Sequence, residues 1–316
     1  MRKYEKIYKL TPTLHANIWG GNKLRGYGKE SEEDRIGESW ELSFVKGDEA
    51  TVKDGIKTTA IFDRDAWGEN CKKFEDFPVL TKFIDAQDKL SVQVHPSDEY
   101  ALKNEGMYGK SEMWYVVDAE EGAGLYMGLN RNCSAEEFSE KVADGTVEEL
   151  LSFKTVKPGD VFFIPAGTIH AIGAGVLIYE IQQNSTLTYR LYDYMRKDKN
   201  GNLRELHIDK AMKVSNLTPY TAESYEDEEI IGKCKYFITK RYDFEGIIRF
   251  FEVKDDSYLM LTAVKGEGSM HYTDFDGDRK DIELKAGDSY FLPAGSGAFT
   301  VSGGDLVIIT VETPKE

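Results

Sequence analysis

Gln93 and His95, in SVQVHPSDEYA, are two residues apart, so on a strand their side chains point to one face. Glu112, in GKSEMWYVV, opens a strongly β-forming run about one hairpin further on. His170 arrives just after the tight turn Pro165-Ala166-Gly167, which fixes its position. A metal ligand needs that fixity. If these segments share one barrel, Gln93, His95, Glu112 and His170 converge. Two histidines with one carboxylate are a common zinc catalytic set, and an amide oxygen can add a weak fourth contact. His170 alone says little, because a lone strand histidine is more often packed and hydrogen-bonded than a ligand. Three segments aimed at one place say more.

The elements that must position these residues are strands. Lys157–Arg190, KPGDVFFIPAGTIHAIGAGVLIYEIQQNSTLTYR, alternates tight turns with short β-branched and aromatic runs, the mark of an antiparallel barrel or sandwich. VLTKFIDA and LSVQVH read as a hairpin about the turn AQDK, and EMWYVVDA and AGLYMGL as the next hairpin. Residues 97–105 begin with a serine cap and an acidic first turn, which fits a short helix. Ser134 with Glu137 three residues on is a capping-box pattern. The apolar spacing that follows, broken near Asp144-Gly145, predicts a helical pair over 134–153, inserted between strands and packed on the outside of a sheet. Beyond Arg190, the Asn200-Gly201 turn predicts a hairpin or linker and then a short helix.

The stretch 218–232 is acidic and polar and marks a domain boundary, dividing the chain into 1–217 and 218–316. From residue 233 onward the sequence reads as strands throughout. It contains an internal repeat: KAGDSYFLPAGSGAFT at 285–300 matches KPGDVFFIPAGTIHAI at 157–172. The turn residues are retained, but Ala298 falls where the first copy has His170. His271 has no second histidine or carboxylate to complete a ligand set, so one metal site, in the first unit, is expected. His15, His207 and His271 read as structural.

In combination and in this order, QVHP, GKSEMWYV, PAGTIHAI and YEIQQNS…TYRLYDY resemble the type I mannose-6-phosphate isomerases of the cupin superfamily, most closely their short bacterial form. The resemblance extends to IWGG at 18–21 and GESWELS at 37–43, hence over essentially the whole chain. It implies a mainly β fold of two cupin-like jelly-roll barrels, the catalytic one carrying the helical insertion and the second lacking a metal site. It implies one zinc ion per chain on Gln93, His95, Glu112 and His170. It makes Arg190 the active-site arginine and puts Lys110 and Glu180 at active-site positions. Longer members carry a histidine where Gly109 stands here, and many carry an aspartate where Thr186 stands. Either group is a plausible proton carrier, so their absence shifts that role toward Glu180 or a zinc-bound water.

The activity so implied is the interconversion of mannose 6-phosphate and fructose 6-phosphate by proton transfer through an enediol. Zinc would polarise the sugar oxygens, Arg190 would meet the developing negative charge, and Glu180 or Lys110 would carry the proton. The rival readings are a metal-dependent dioxygenase of two cupin units and a non-catalytic sugar-binding cupin. The first normally calls for a three-histidine set, and the second normally lacks the ligands.

Composition narrows the partners. Across 316 residues the net charge is −16, with no basic stripe, which argues against nucleic acid. A small phosphorylated substrate then needs local cations, and Lys110 and Arg190 lie within the ligand-bearing segments. No apolar run approaches the roughly 20 residues needed to span a bilayer, and the N-terminus lacks an apolar signal core. Three widely spaced cysteines, Cys71, Cys133 and Cys234, suggest reduced thiols and a cytoplasmic location rather than a disulfide framework.

Overall fold

Every side chain of the strand Val176–Gln183, VLIYEIQQ, is buried, although successive side chains of a strand point to opposite faces. Val176 and Ile178 lie in a core with Trp114 and Met127. Leu177, Tyr179 and Ile181 lie in another, with Phe291 and Ile309. An unbroken apolar run is what a strand covered on both sides requires, and this strand sits in the middle of a stack of sheets. The chain is a computed structural model, which describes residues 3–197 and 201–315.

Among the described residues, four antiparallel sheets make up the mainly β fold. A five-stranded sheet runs Tyr189–Tyr192, Val92–Val94, His170–Ile172, Gly124–Leu129, Leu151–Thr155. A six-stranded sheet faces it, in the order Thr13–His15, Glu38–Leu42, Val79–Ala86, Val176–Gln183, Glu112–Ala119, Val161–Ile164. A second six-stranded sheet backs onto the first through the core shared by Phe83, Tyr179, Met260 and Ile309. A four-stranded sheet of Ile248–Val253, Gly297–Gly303, Glu267–Thr273 and Arg279–Lys285 closes the far side. The outer face of the five-stranded sheet is covered by helix Ala135–Ala143, the turn Val147–Leu150 and helix Ile208–Val214, where Phe138, Val142, Leu150 and Ala211 meet Val94, Ala171 and Leu191. Ser134 caps the first of these helices by accepting the Glu137 N–H at 3.2 Å.

Several expectations are corrected. The barrels are not closed; each is an open pair of facing sheets whose outermost strands, among the described residues, do not pair across. The two expected hairpins are not hairpins. Val79–Ala86 already has a partner on each edge, Glu38–Leu42 and Val176–Gln183. The chain therefore crosses to the facing sheet before Val92–Val94. Glu112–Ala119 is likewise flanked by Val161–Ile164 and Val176–Gln183, so Gly124–Leu129 falls in the other sheet. The expected turn at Asn200-Gly201 lies partly outside the described residues; Lys197 and Leu203 form a bridge on either side of it. Tyr8–Lys9 pairs with Ser289–Leu292, so the start of the chain adds a strand to a sheet otherwise built after residue 229. In the repeat, Ala298 is exposed and Phe299 is the inward residue, stacked on Phe251.

Candidate metal centre and active site

Ladder register assembles the site. On the five-stranded sheet Arg190, Gln93 and His170 are successive cross-strand partners. On the facing sheet Trp114, Glu180 and Lys82 oppose one another in the same way, with Trp40 beyond Lys82. Glu112 lies two residues from Trp114 and so shares its face. His95 directly follows the strand Val92–Val94 and is buried.

His95 Nδ1 is 2.8 Å from the Leu187 carbonyl, and His170 Nδ1 is 2.9 Å from the Thr168 carbonyl. A carbonyl only accepts, so each Nδ1 carries the hydrogen and each Nε2 is left with a lone pair. Burial, reinforced by the charges of Lys110 and the other histidine, holds His95 well below the usual histidine range. Burial likewise lowers His170 to about 4. Both rings are therefore neutral. His170 Nε2 stands 3.1 Å from Glu112 Oε1 and His95 Nε2 3.6 Å from Glu112 Oε2, contacts that cannot be ion pairs. Lone pairs face carboxylate oxygens, and Glu112 Oε1 has no hydrogen-bond partner among the described residues. Donor atoms of all three lie within 4.8 Å of one another. Ligands of one tetrahedral zinc ion stand about 3.4 Å apart, so the set fits a metal cation. Gln93 Nε2 is 3.4 Å from His170 Nε2; turning the amide over brings its oxygen to that side.

Lys110 Nζ donates to Glu112 Oε2 at 2.5 Å, lies 3.2 Å from His95 Nε2 and stands 3.6 Å from Glu180 Oε1. Burial would lower its pKa, but Glu112 and Glu180 raise it further. Glu180 Oε2 accepts the Trp114 indole N–H at 2.7 Å, while its Oε1 has no hydrogen-bond partner among the described residues. Burial and the charge of Glu112 push Glu180 upward, against Lys110 and Lys82. The Arg190 guanidinium is half-buried and has no hydrogen-bond or ion-pair partner among the described residues. Burial and the neighbouring Arg204 lower its pKa. Arg204 is itself held by Asp193 at 2.5 and 2.7 Å.

Gln93, Lys110, Glu180 and Arg190 line one polar cavity of ≈ 110 Å³; His95, Glu112 and His170 do not line it, and are joined to it by the contacts of Gln93 with His170 and of Lys110 with Glu112. Trp19, from the IWGG segment, lines it too. Two further lining residues, Glu38 and Lys82, escaped sequence reasoning. They stand 3.4 Å apart, and Trp40 donates to Glu38 at 2.6 Å. Burial would raise the Glu38 pKa, but Lys82 and Trp40 hold it below the ordinary carboxylate range. A single lysine inside the apolar run VLTKFIDA was the available signal. A larger cavity of ≈ 400 Å³ lies by Phe44, Trp67 and Phe77; it is mainly apolar and away from the histidines, and Thr186 lines it rather than the site.

Residues 7–128 match the family described as phosphomannose isomerase type I, catalytic domain, and residues 228–312 match mannose-6-phosphate isomerase, cupin domain. The chain is 35% identical over 306 residues to mannose-6-phosphate isomerase ManA of Bacillus subtilis, spanning 92% of this chain and 94% of the relative. Mannose-6-phosphate isomerase of Streptococcus mutans is 35% identical over 314 residues, at 95% and 96% coverage. Among solved structures, the mannose 6-phosphate isomerase from B. subtilis superposes with a TM-score of 0.86 at 33% identity, covering 97% of this chain and 99% of that one. The apo form from Salmonella typhimurium, 17% identical, shares the fold at a TM-score of 0.78, covering 98% of this chain and all of that one.

Proposed function

The chain belongs to the type I mannose-6-phosphate isomerase family, and on that premise we propose that it interconverts mannose 6-phosphate and fructose 6-phosphate. The observation that carries the reading is the buried group His95, Glu112 and His170, with neutral imidazoles turned by backbone carbonyls to present lone pairs. These three would hold one zinc ion per chain, with the Gln93 oxygen as a fourth contact. Bound there, the metal supplies Lewis acidity toward the sugar oxygens.

The chain's own residues do the rest. In the aldose-to-ketose direction C2 loses its proton to the carrier as O1 gains one, giving the enediol, and C1 then receives a proton as O2 gives up its own, giving the ketose. Glu180 is the proposed proton carrier, because its Oε1 has no hydrogen-bond partner among the described residues while its Oε2 is fixed by Trp114. Arg190 presents an uncommitted planar cation to the phosphate or to the developing enediolate. Lys110 and Lys82 hold positive charge beside Glu180, at 3.6 and 3.9 Å.

We read the facing sheet pairs as two jelly rolls, divided near residue 218, with metal chemistry confined to the first. A coupled assay of mannose 6-phosphate conversion, run with and without chelator and alongside elemental analysis, tests the whole reading. Turnover that is lost on chelation and restored by zinc is expected. Full turnover in metal-free protein would overturn it.

A further inference from the structure

The segment Gly109–Glu112 carries Lys110 and Glu112, yet it lies outside regular structure until its last residue. It is held by backbone and side-chain contacts to two other stretches. The Lys110 N–H donates to the Pro96 carbonyl at 3.0 Å. The Ser111 N–H donates to Gln183 Oε1 at 2.8 Å. A Cβ on Gly109 would stand 2.5–2.6 Å from backbone atoms of Pro96, Ser97 and Asp98, so the two strips of chain touch directly.

Asp98 sits at the centre of this arrangement. Its Oδ1 accepts the Gly109 N–H at 2.9 Å and the Gln183 amide at 2.9 Å. Its Oδ2 accepts Lys235 Nζ at 2.7 Å and, in a very short contact, the Tyr236 hydroxyl. Both of the latter come from the far side of the proposed domain boundary. Tyr236 is itself fixed: it is buried, its ring stacks on Phe74 with centroids 4.9 Å apart, and its carbonyl accepts the Thr313 hydroxyl at 3.1 Å. Burial would raise the Asp98 carboxyl, but its four donors hold it below the ordinary carboxylate range, so it is an anion that all four can use.

We propose that Asp98 is a positioning residue for Lys110 and Glu112, and that Tyr236 and Lys235 of the C-terminal unit set its geometry, so that this unit is a working part of the active site. The inference rests on the proposed isomerase reading for its kinetic consequence, but not for its structural one. Misplacing a reacting group by about 1 Å can cost 10²-fold in rate, and a carboxylate with four partners is a small hinge through which such a shift passes.

The test uses full-length protein loaded with zinc and three variants: Tyr236→Phe, Asp98→Asn and Lys235→Gln. Tyr236→Phe keeps the stacked ring and removes only the hydroxyl. Expected are a fall in kcat of about tenfold for Tyr236→Phe and up to 10²-fold for Asp98→Asn, with KM within about twofold. Lys235→Gln, which leaves the other three donors, should show the smallest fall. Amide hydrogen exchange supplies a readout independent of activity: Gly109–Glu112 should exchange faster in Tyr236→Phe while the sheets keep their protection. Unchanged exchange at 109–112 would overturn the proposal, whatever the kinetics. So would acceleration spread evenly over the chain, which marks loss of stability alone. If the wild type does not isomerise mannose 6-phosphate but local exchange rises as expected, the functional reading fails and the positioning role stands.

Discussion

His170 Nε2, on a ring whose Nδ1 donates to the Thr168 carbonyl, faces Glu112 Oε1 across 3.1 Å, and that oxygen has no hydrogen-bond partner among the described residues. Lone-pair atoms buried side by side call for a positive charge between them, which the proposed metal would supply. His170→Ala should therefore release the metal and abolish turnover while leaving the fold intact, because the cores around it are built from Trp114, Met127 and Ile178. Metal content by mass spectrometry, together with circular dichroism, decides this. Near-normal zinc in a folded variant would remove His170 from the ligand set.

Arg190→Lys should keep the proposed metal and lose about 10²-fold in kcat. The strand Tyr189–Tyr192 is held by its ladder to Val92–Val94 and by the His207 N–H bond to the Arg190 carbonyl at 2.8 Å, so the backbone stays in place. What changes is the planar fork, which an ammonium does not reproduce. Steady-state rates within a few-fold of wild type would show that the guanidinium takes no part.

How much of this was legible in the sequence depended on which level of structure each residue answers to. VFFI, the PAG turn and VLIYEIQQ announced strands and a fixed histidine, because β propensity and turn chemistry are local. His95, Glu112 and His170 were found because ligand residue types are rare in apolar strands. Glu38 and Lys82 were not found: the lone lysine in VLTKFIDA was a local signal, but its meeting with Glu38 comes from the register of Glu38–Leu42 on Val79–Ala86, which no local pattern encodes. The mistaken hairpins have the same origin. AQDK is a good turn in either case, and only the edges already occupied on Val79–Ala86 send the chain to the facing sheet.

The packing around Gly109 leaves no room for a side chain. Its ideal Cβ would meet Pro96, Ser97 and Asp98 backbone at 2.5–2.6 Å, and backbone cannot swing aside as a side chain can. Gly109→Ala should destabilise the protein by about 1–3 kcal/mol, as overpacking does, and Gly109→His by more. Denaturant midpoints measure this. A midpoint equal to wild type for Gly109→His would mean that the segments separate freely.

The second unit should do no metal chemistry, and yet the first should not survive without it. His271 sits on the outer face of the four-stranded sheet, with Nδ1 2.6 Å from Asp281, while the inward positions are filled by Met270, Phe299 and Val301. His271→Ala should leave metal content and turnover within about twofold of wild type, since, among the described residues, the ring's polar contacts are only with the exposed Asp281 and with Ser302 of its own sheet. A second equivalent of zinc that vanished in that variant would refute this. Truncation near Glu229 is a different matter. Phe291 packs on Phe62 at 4.4 Å, Tyr258 meets Phe77 at 4.8 Å, and Tyr8–Lys9 would lose the strand they pair with. The backs of Phe83 and Tyr179 would face water together with those rings, an apolar surface of the kind that drives aggregation. The truncated chain is expected in the insoluble fraction. A soluble, zinc-loaded and monodisperse fragment by size exclusion would show that the first sheet pair folds alone.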